Sequence, residues 1–308
     1  MTQPAGALDG KLDSGFRRND VLGSFVDWFE ITRVDGRDYD VGFFRHHRDP
    51  AQPFAQELKP HAHGVLVTSA TLKSSRSDDE AAWMEADRMT GAGSMAEMSP
   101  VRVGIPSPFD YKNNTRVIVV RDIPKNDIAL LAKAYQALFT ASHGGALGLF
   151  TAIHRLRGVQ NRLAPALEAK GFPLYAQHVD NVDIGTLIDI FRAEEDSCLL
   201  GTDAVRDGVD VPGRSLRLIA FDRVPWPRPT ILHRERRKSF GGKAYDESLT
   251  RMKLRQAYGR LIRSATDRGV FVMLDSAFPS RLEDSFPAGV PIERVSLDEA
   301  VKMVREFF

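Results

Sequence analysis

The sequence is poor in cysteine and in long apolar runs, and it has almost no net charge. Its 308 residues include one cysteine, Cys198, which has no partner for an internal disulfide and cannot alone provide a four-cysteine iron–sulfur or zinc site. No run of about eighteen apolar residues occurs, which argues against a membrane-spanning helix. The N-terminal residues lack the apolar core of a secretory signal. These absences predict a cytoplasmic protein with no membrane contact and no iron–sulfur cluster.

The near-neutral total hides a local excess of basic residues. Lys and Arg number 42 against 41 Asp and Glu, a net charge of +1. Residues 228–268, however, hold twelve basic and four acidic side chains, a local charge of +8. Such a block is typical of a surface that binds phosphate or nucleic acid. A solvated helix face would have the same composition, and charge alone leaves both interpretations open.

The pattern of apolar residues divides the chain into three stretches. Residues 1–20 have no periodicity and many turn formers, which predicts a disordered leader. Residues 21–115 begin with two alternating segments around Asp35-Gly36, a β-hairpin pattern. The apolar run after Gly64 predicts a buried strand that ends in Thr68-Ser69. Pro-rich and polar residues before position 115 are typical of a linker.

Residues 116–308 alternate short apolar strands with helical segments. This alternation predicts βαβ units, a parallel sheet and an α/β fold of three layers. The predicted strands are Val117–Val120, Ala146–Thr151, Pro173–Gln177, Ser197–Gly201, Leu216–Phe221 and Val270–Asp275. Five helices are predicted: one that begins after Asn126 or Asp127, then Leu156–Lys170, Ile184–Glu194, a basic helix centred on Met252–Arg263, and Leu297–Phe307.

One candidate site lies at the end of the basic helix. On a continuous helix Gln256, Gly259, Arg260 and Arg263 fall at i, i+3, i+4 and i+7 and share one stripe. The planar guanidinium of arginine binds phosphate oxygens in pairs, and Gly259 would allow a ligand to approach closely. The pattern favours a polyphosphate site, although a surface helix with basic residues has the same spacing.

A second candidate site is the loop that follows the strand at residues 197–201. It contains Gly208 and Asp210, and it leads to Pro212-Gly213. Loops at the carboxyl ends of parallel strands bind ligands, and Gly208 is expected to adopt an unusual backbone angle that leaves amides free for a phosphate or sugar. An ordinary turn would explain the same residues.

Together these motifs resemble the DinG/XPD group of superfamily 2 DNA helicases, over about residues 25–308. Phe221–Pro229 resembles the Pro-rich segment that follows motif V in this group. The four motifs follow in the order of the group, with Leu66–Leu72 similar to motif III, Leu149–Thr151 to motif IV, Gly201–Gly213 to motif V and Gln256–Ser264 to motif VI.

The resemblance implies a role for each matching residue. Residues 116–308 would form the RecA-like second motor lobe, and residues 21–115 a remnant of the first lobe. Arg260, Arg263 and Gln256 would act on ATP, with Gly208, Asp210 and Gly259 also at the nucleotide. Thr68 and Ser69 would couple the lobes. Thr151, Arg155 and Arg157 would lie near the DNA backbone. Apart from the resemblance, Arg223, Trp226 and Arg228 are candidate contacts for single-stranded DNA, and Trp226 between prolines is either a packing wedge or a base-stacking platform.

Important parts of the group's pattern are missing. No G-x-x-x-x-G-K-[ST] occurs, since Gly242-Lys243 is followed by Ala. Asp298-Glu299 imitates a metal-binding pair but opens a terminal helix, where acids favour the helix dipole. Motif V carries Arg206-Asp207 where the group usually has Glu before the glycine. ATP and Mg²⁺ would therefore be bound mainly by a first lobe absent from this sequence, supplied by a separate chain or a longer one.

Three functional hypotheses follow. The first is the C-terminal motor lobe of a DinG-type DNA helicase, inactive as an ATPase without the P-loop lobe. The second is a non-catalytic nucleic-acid-binding module derived from such a lobe. The third is a small-molecule α/β enzyme, for which no convincing acid and base can be named. A metal site is not expected, because His61 and His63 lack further ligands at suitable spacing.

Overall fold

The computed structural model describes residues 23–34, 36–73, 79–95, 100–208 and 210–308. The predicted leader lies outside these ranges. Among the described residues two compact units form. The hairpin unit comprises 23–73, 79–103 and 227–247, and the sheet unit comprises 104–226 and 248–308. The assignment of residues 21–115 to a first-lobe remnant and of 116–308 to a second lobe stays a prediction.

The sheet unit is built on seven parallel strands, in the order β5-β6-β4-β7-β8-β3-β9. This topology confirms the predicted α/β fold. The strands are β3 Thr115–Val120, β4 Ala146–Leu149, β5 Leu174–Ala176, β6 Cys198–Gly201, β7 Leu218–Phe221, β8 Gly269–Met273 and β9 Ile292–Val295. The helices that belong to it are α4 Tyr111–Asn114, α5 Ile128–Ala141, α6 Ile153–Glu168, α7 Ile184–Ala193, α8 Asp203–Gly208 and α11 Leu297–Phe307, together with the end of α10 Lys243–Tyr258.

The helices cover both faces of the sheet, because alternate side chains of each strand point to opposite faces. Ile118 and Val120 of β3 pack with α5, α6 and α11, whereas Val117 and Val119 pack with α7 and α10. The inner strands β4, β6, β7 and β8 are buried on both faces, which explains why they are nearly continuous apolar runs.

Cap and turn residues bound helix α5, which begins after Asp127 as predicted. The side chain of Asp127 accepts the amide of Leu130 and caps α5. Gly144, at φ +75°, follows α5 in the left-handed region, and a Cβ there would overlap the backbone of Asp196. Glycine is therefore required at this position by both conformation and space.

The hairpin unit contains β1 Phe25–Val34 and β2 Arg37–His47, which pair in an antiparallel hairpin as predicted. It also contains α1 Ala51–Leu58, α2 Asp79–Thr90, α3 Ala92–Met95, α9 Ile231–Ser239 and the start of α10. The predicted buried strand after Gly64 is wrong, because residues 65–67 form no strand and Leu66 is 86% exposed. A strand requires a hydrogen-bonded neighbour, and this segment has none within the described part of the chain. Across the same ranges, no helix combines the length and apolar character needed to cross a membrane.

Candidate functional site

The motif VI residues lie on a turn rather than on a continuous helix. Helix α10 ends at Tyr258, and Gly259 and Arg260 form the turn that follows. The predicted stripe from Gln256 to Arg263 is therefore wrong. The physical reason lies in the next two residues, since Leu261 and Ile262 are only 1% and 4% exposed and turn into the core before β8.

A buried carboxylate fixes this turn. Asp267 accepts the amides of Arg263 at 2.7 Å and Ser264 at 2.8 Å through one oxygen. Its other oxygen accepts the Ser264 hydroxyl at 2.7 Å. Gln256 is partly buried on the last turn of α10, Gly259 is exposed and Arg260 is half-buried. The backbone that carries the two predicted arginines is thus held by an acid that sequence reasoning did not single out.

Motifs V and VI meet at an ion pair between Arg263 and Asp210. The Nη2 atom of Arg263 lies 3.1 Å from Oδ1 of Asp210, and their side chains are 33% and 68% exposed. Arg192, at the end of α7, donates to the backbone carbonyl of Asp210 at 3.1 Å. A pair this exposed contributes little to stability, so the guanidinium can exchange its partner for another anion at small cost.

The first half of motif V is tied to α10. Asp203 accepts Arg206 at 2.7 Å and Lys253 at 2.9 Å, one on each oxygen. Gly208 is the last residue of α8, and its φ is not in the left-handed region. The expected unusual backbone angle at Gly208 is therefore wrong. Space offers a different reason for a small residue, because a Cβ there would lie 3.2 Å from Ile188.

A second cluster lies at the carboxyl edge of the sheet, where the chain leaves β3, β4, β7 and β8. Arg155 is 6% exposed and donates through Nε to Asp222 at 2.6 Å. Asp222 is 2% exposed and also accepts the amide of Thr151 at 3.0 Å. Burial raises the pKa of the Asp222 carboxyl, and the hydrogen bond from Arg155 opposes that rise. Arg155 is thus inside the protein, not on the surface where a DNA contact requires it.

The same cluster joins two further loops. Arg155 and Arg223 both donate to the carbonyl of Lys125, at 3.2 and 2.7 Å. Asp275, after β8, accepts the amide of Val224 at 3.1 Å. These side chains line a cavity of about 10 Å³, roughly the room that one water molecule needs. The cluster is packed around this small cavity.

The remaining predicted nucleic-acid contacts have different surroundings. Arg157 is exposed and donates to the carbonyl of His178 at 3.0 and 3.2 Å. Trp226 is 38% exposed in the sheet unit, and Arg228 is exposed in the hairpin unit. In the same hairpin unit Thr68 and Ser69 are exposed, with the Ser69 hydroxyl 3.1 Å from that of Thr71.

Metal and thiol chemistry find no support in the described ranges. There, no group of three His, Cys, Asp or Glu side chains is arranged to hold a metal ion. Cys198 is buried in β6, and burial raises the pKa of its thiol to about 12, so a thiolate does not form near neutral pH.

The parallel sheet, with motif V and motif VI residues paired beside it, defines the class as a RecA-like helicase lobe. The helicase C-terminal domain family matches residues 135–292, about half of the chain. The chain belongs to this family.

Similar proteins include two DinG proteins. The "ATP-dependent helicase DinG" of Mycobacterium tuberculosis (strain H37Ra) is 32% identical over 224 residues, which cover 69% of this chain and 32% of that protein. The "3'-5' exonuclease DinG" of Bacillus subtilis is 25% identical over 264 residues, 80% of this chain and 27% of that protein. A solved XPD helicase structure has a TM-score of 0.46 at 15% identity, covering 58% of this chain and 35% of that one. The chain spans about a third of the length of these curated relatives, and the resemblance to the C-terminal portion of DinG/XPD helicases is confirmed.

Proposed function

We propose that the sheet unit is the second motor lobe of an ATP-dependent DNA helicase of the DinG type. The observation that carries this proposal is the ion pair between Arg263 and Asp210. These residues stand more than fifty positions apart in two separate motifs, yet they meet in space. In a member of the helicase C-terminal domain family, a contact between these two motifs is a place where a nucleotide can bind.

ATP fits the residues around this pair. Gln256, Arg260 and Arg263 would hold its phosphates, and ATP, when bound, supplies the phosphoryl group whose transfer powers movement. Arginines at such a site stabilise charge that grows on the departing phosphoryl group. The partial exposure of Arg263 supports this role, because its present partner is a weakly held surface carboxylate. Gly208, Gly259 and Asp210 would line the same region.

The P-loop and the Mg²⁺ carboxylates would come from additional polypeptide, because the 308-residue sequence has no G-x-x-x-x-G-K-[ST]. Thr68 and Ser69 would couple the two lobes. We therefore expect the 308-residue chain alone not to hydrolyse ATP.

Single-stranded DNA would contact Thr151, Arg157, Arg223, Trp226 and Arg228. The exposed indole of Trp226 can stack on a base, and the arginines can neutralise phosphates. Arg155 is not proposed as a DNA contact, because its guanidinium is buried against Asp222.

The test measures ATP hydrolysis with and without single-stranded DNA. The chain alone should be inactive, and adding a DinG-type polypeptide that carries the P-loop should restore DNA-stimulated hydrolysis. Arg260→Ala should then reduce the rate about a thousandfold, the effect of losing an arginine finger. Arg268→Ala is the matched control, since Arg268 lies in the same loop but stacks on Phe307 at 4.4 Å.

Two results would contradict the proposal. Hydrolysis by the chain alone would reveal a phosphate site outside the residues named here. Hydrolysis that is restored but unaffected by Arg260→Ala would remove the arginine from its proposed role.

The non-catalytic module is the second candidate, favoured by the missing P-loop sequence. It predicts single-stranded DNA binding in which no P-loop polypeptide ever restores hydrolysis.

A further inference from the structure

The ion pair between Arg155 and Asp222 at the carboxyl edge of the sheet is buried, unlike an ion pair on the surface. Removing both Arg155 and Asp222 from water is costly unless their hydrogen-bonding groups are satisfied. Asp222 accepts the Thr151 amide on one oxygen and Arg155 on the other, and Arg155 also donates to the Lys125 carbonyl. The pair therefore holds backbone from two different loops.

The loop held most directly is the one between β4 and α6. Thr151 lies two residues after the end of β4, and Arg155 is in the first turn of α6. Asp222 thus holds this loop at two points, because it accepts the main-chain amide of Thr151 and the side chain of Arg155. Asp222 itself follows β7, the neighbouring strand, and its amide donates to the carbonyl of Leu149 at 3.0 Å. The loops after β4 and β7 are consequently fixed to each other.

We propose that Asp222 is a positioning residue, which acts through Arg155 and the Thr151 amide to hold the β4–α6 loop in the conformation that binds single-stranded DNA. This inference rests on the proposed function. The cavity beside the cluster has room for about one water.

Electrostatics and positioning predict opposite effects for Asp222→Asn. Removing a carboxylate near a polyanion should tighten binding if only charge matters. The asparagine amide keeps only one acceptor oxygen, so it can hold the Thr151 amide or Arg155 but not both. Losing one of these two contacts should weaken binding even though the repulsion is reduced. The sign of the change therefore separates the two explanations.

The experiment compares the full chain with Asp222→Asn in a fluorescence anisotropy titration with a labelled oligo-dT. We expect binding about tenfold weaker, the weight of one hydrogen bond to a charged group. Amide hydrogen exchange at Thr151, measured without DNA, should become faster. Asp196→Asn is the matched control, because Asp196 also pairs with a buried arginine, Arg217 at 2.7 Å, but on the opposite edge of the sheet. It makes the same change of charge and should leave both readouts near the parent values.

A second variant covers the case in which Asp222→Asn does not fold. Arg155→Met with Asp222→Leu removes both charges and the acceptor of the Thr151 amide and leaves no unpaired buried ion, so it should fold and still show weak binding and fast exchange at Thr151. Binding equal to or tighter than that of the parent, in either variant, would overturn the inference alone. A parent chain that binds no single-stranded DNA would overturn the proposed function and this inference together.

Discussion

At the residue scale, carboxylates determine which arginines of the sheet unit face solvent. Asp222 pairs with Arg155 inside the protein, whereas Asp210 pairs with Arg263 on the surface, where both side chains remain partly exposed. Asp267 does not pair with an arginine but holds the backbone that carries one. Asp222 and Asp210 therefore distinguish a structural arginine from one that is available to a phosphate, and Asp267 fixes the turn that carries the second.

Replacing Asp267 with alanine should destabilise the motif VI turn. The amides of Arg263 and Ser264 would lose their acceptor next to the core. We expect a loss of about 2 kcal/mol in the free energy of unfolding, measured by urea denaturation. Asp298→Ala, at an exposed position in the first turn of α11, is the control and should cost much less. A loss below about 0.5 kcal/mol, the range of ordinary surface changes, would show that the turn does not depend on Asp267.

Sequence reasoning cannot separate these arginines, because the partner is distant in the chain. Arg155 and Asp222 are 67 positions apart, and no residue close to Arg155 in the sequence indicates that it pairs with a buried acid. One signal was available, since Asp222 directly follows an apolar strand, at the edge where such sheets place functional groups.

At the scale of elements, local chemistry specifies most of the sheet unit, and neighbours decide the rest. The apolar strands and the caps at Asp127 and Gly144 are local signals, and the predicted elements form there. Two expectations failed for non-local reasons. Helix α10 stops at Tyr258 because Leu261 and Ile262 must reach the core, and residues 65–67 form no strand because no neighbour pairs with them.

The N-terminal cap of helix α11 predicts how the stability of the protein depends on pH. Ser296 and Glu299 form a capping box in which the backbone amide and the hydroxyl of Ser296 lower the pKa of the Glu299 carboxyl below its usual 4.5. Because the folded-state pKa is the lower one, this stabilisation is complete above about pH 4.5 and is lost as the pH falls through the folded-state value.

The measurement compares thermal unfolding of the parent and Glu299→Gln from pH 7 to pH 3. Glutamine keeps the shape but not the charge, so the parent should unfold at a higher temperature at pH 7, and the difference should close in acid. A difference that stays constant with pH would show that the charge of Glu299 is not involved.

At the scale of the whole molecule, the chain joins a parallel sheet of the helicase C-terminal domain family to a hairpin unit. The sheet unit carries the paired motifs V and VI and most of the proposed DNA contacts. The +8 block at residues 228–268 supplies Arg228, Arg260 and Arg263. Arginines bind nucleic acid through phosphate charge, so the affinity for DNA must depend on salt.

The affinity of the purified chain for single-stranded DNA at 50 and 200 mM salt shows whether the chain is a DNA-binding helicase lobe. Three arginines, Arg157, Arg223 and Arg228, are proposed to neutralise phosphates. At a slope of about −0.7 per phosphate, they predict binding about twentyfold weaker at the higher concentration. No binding at the lower concentration, or binding of equal strength at both, would contradict the account.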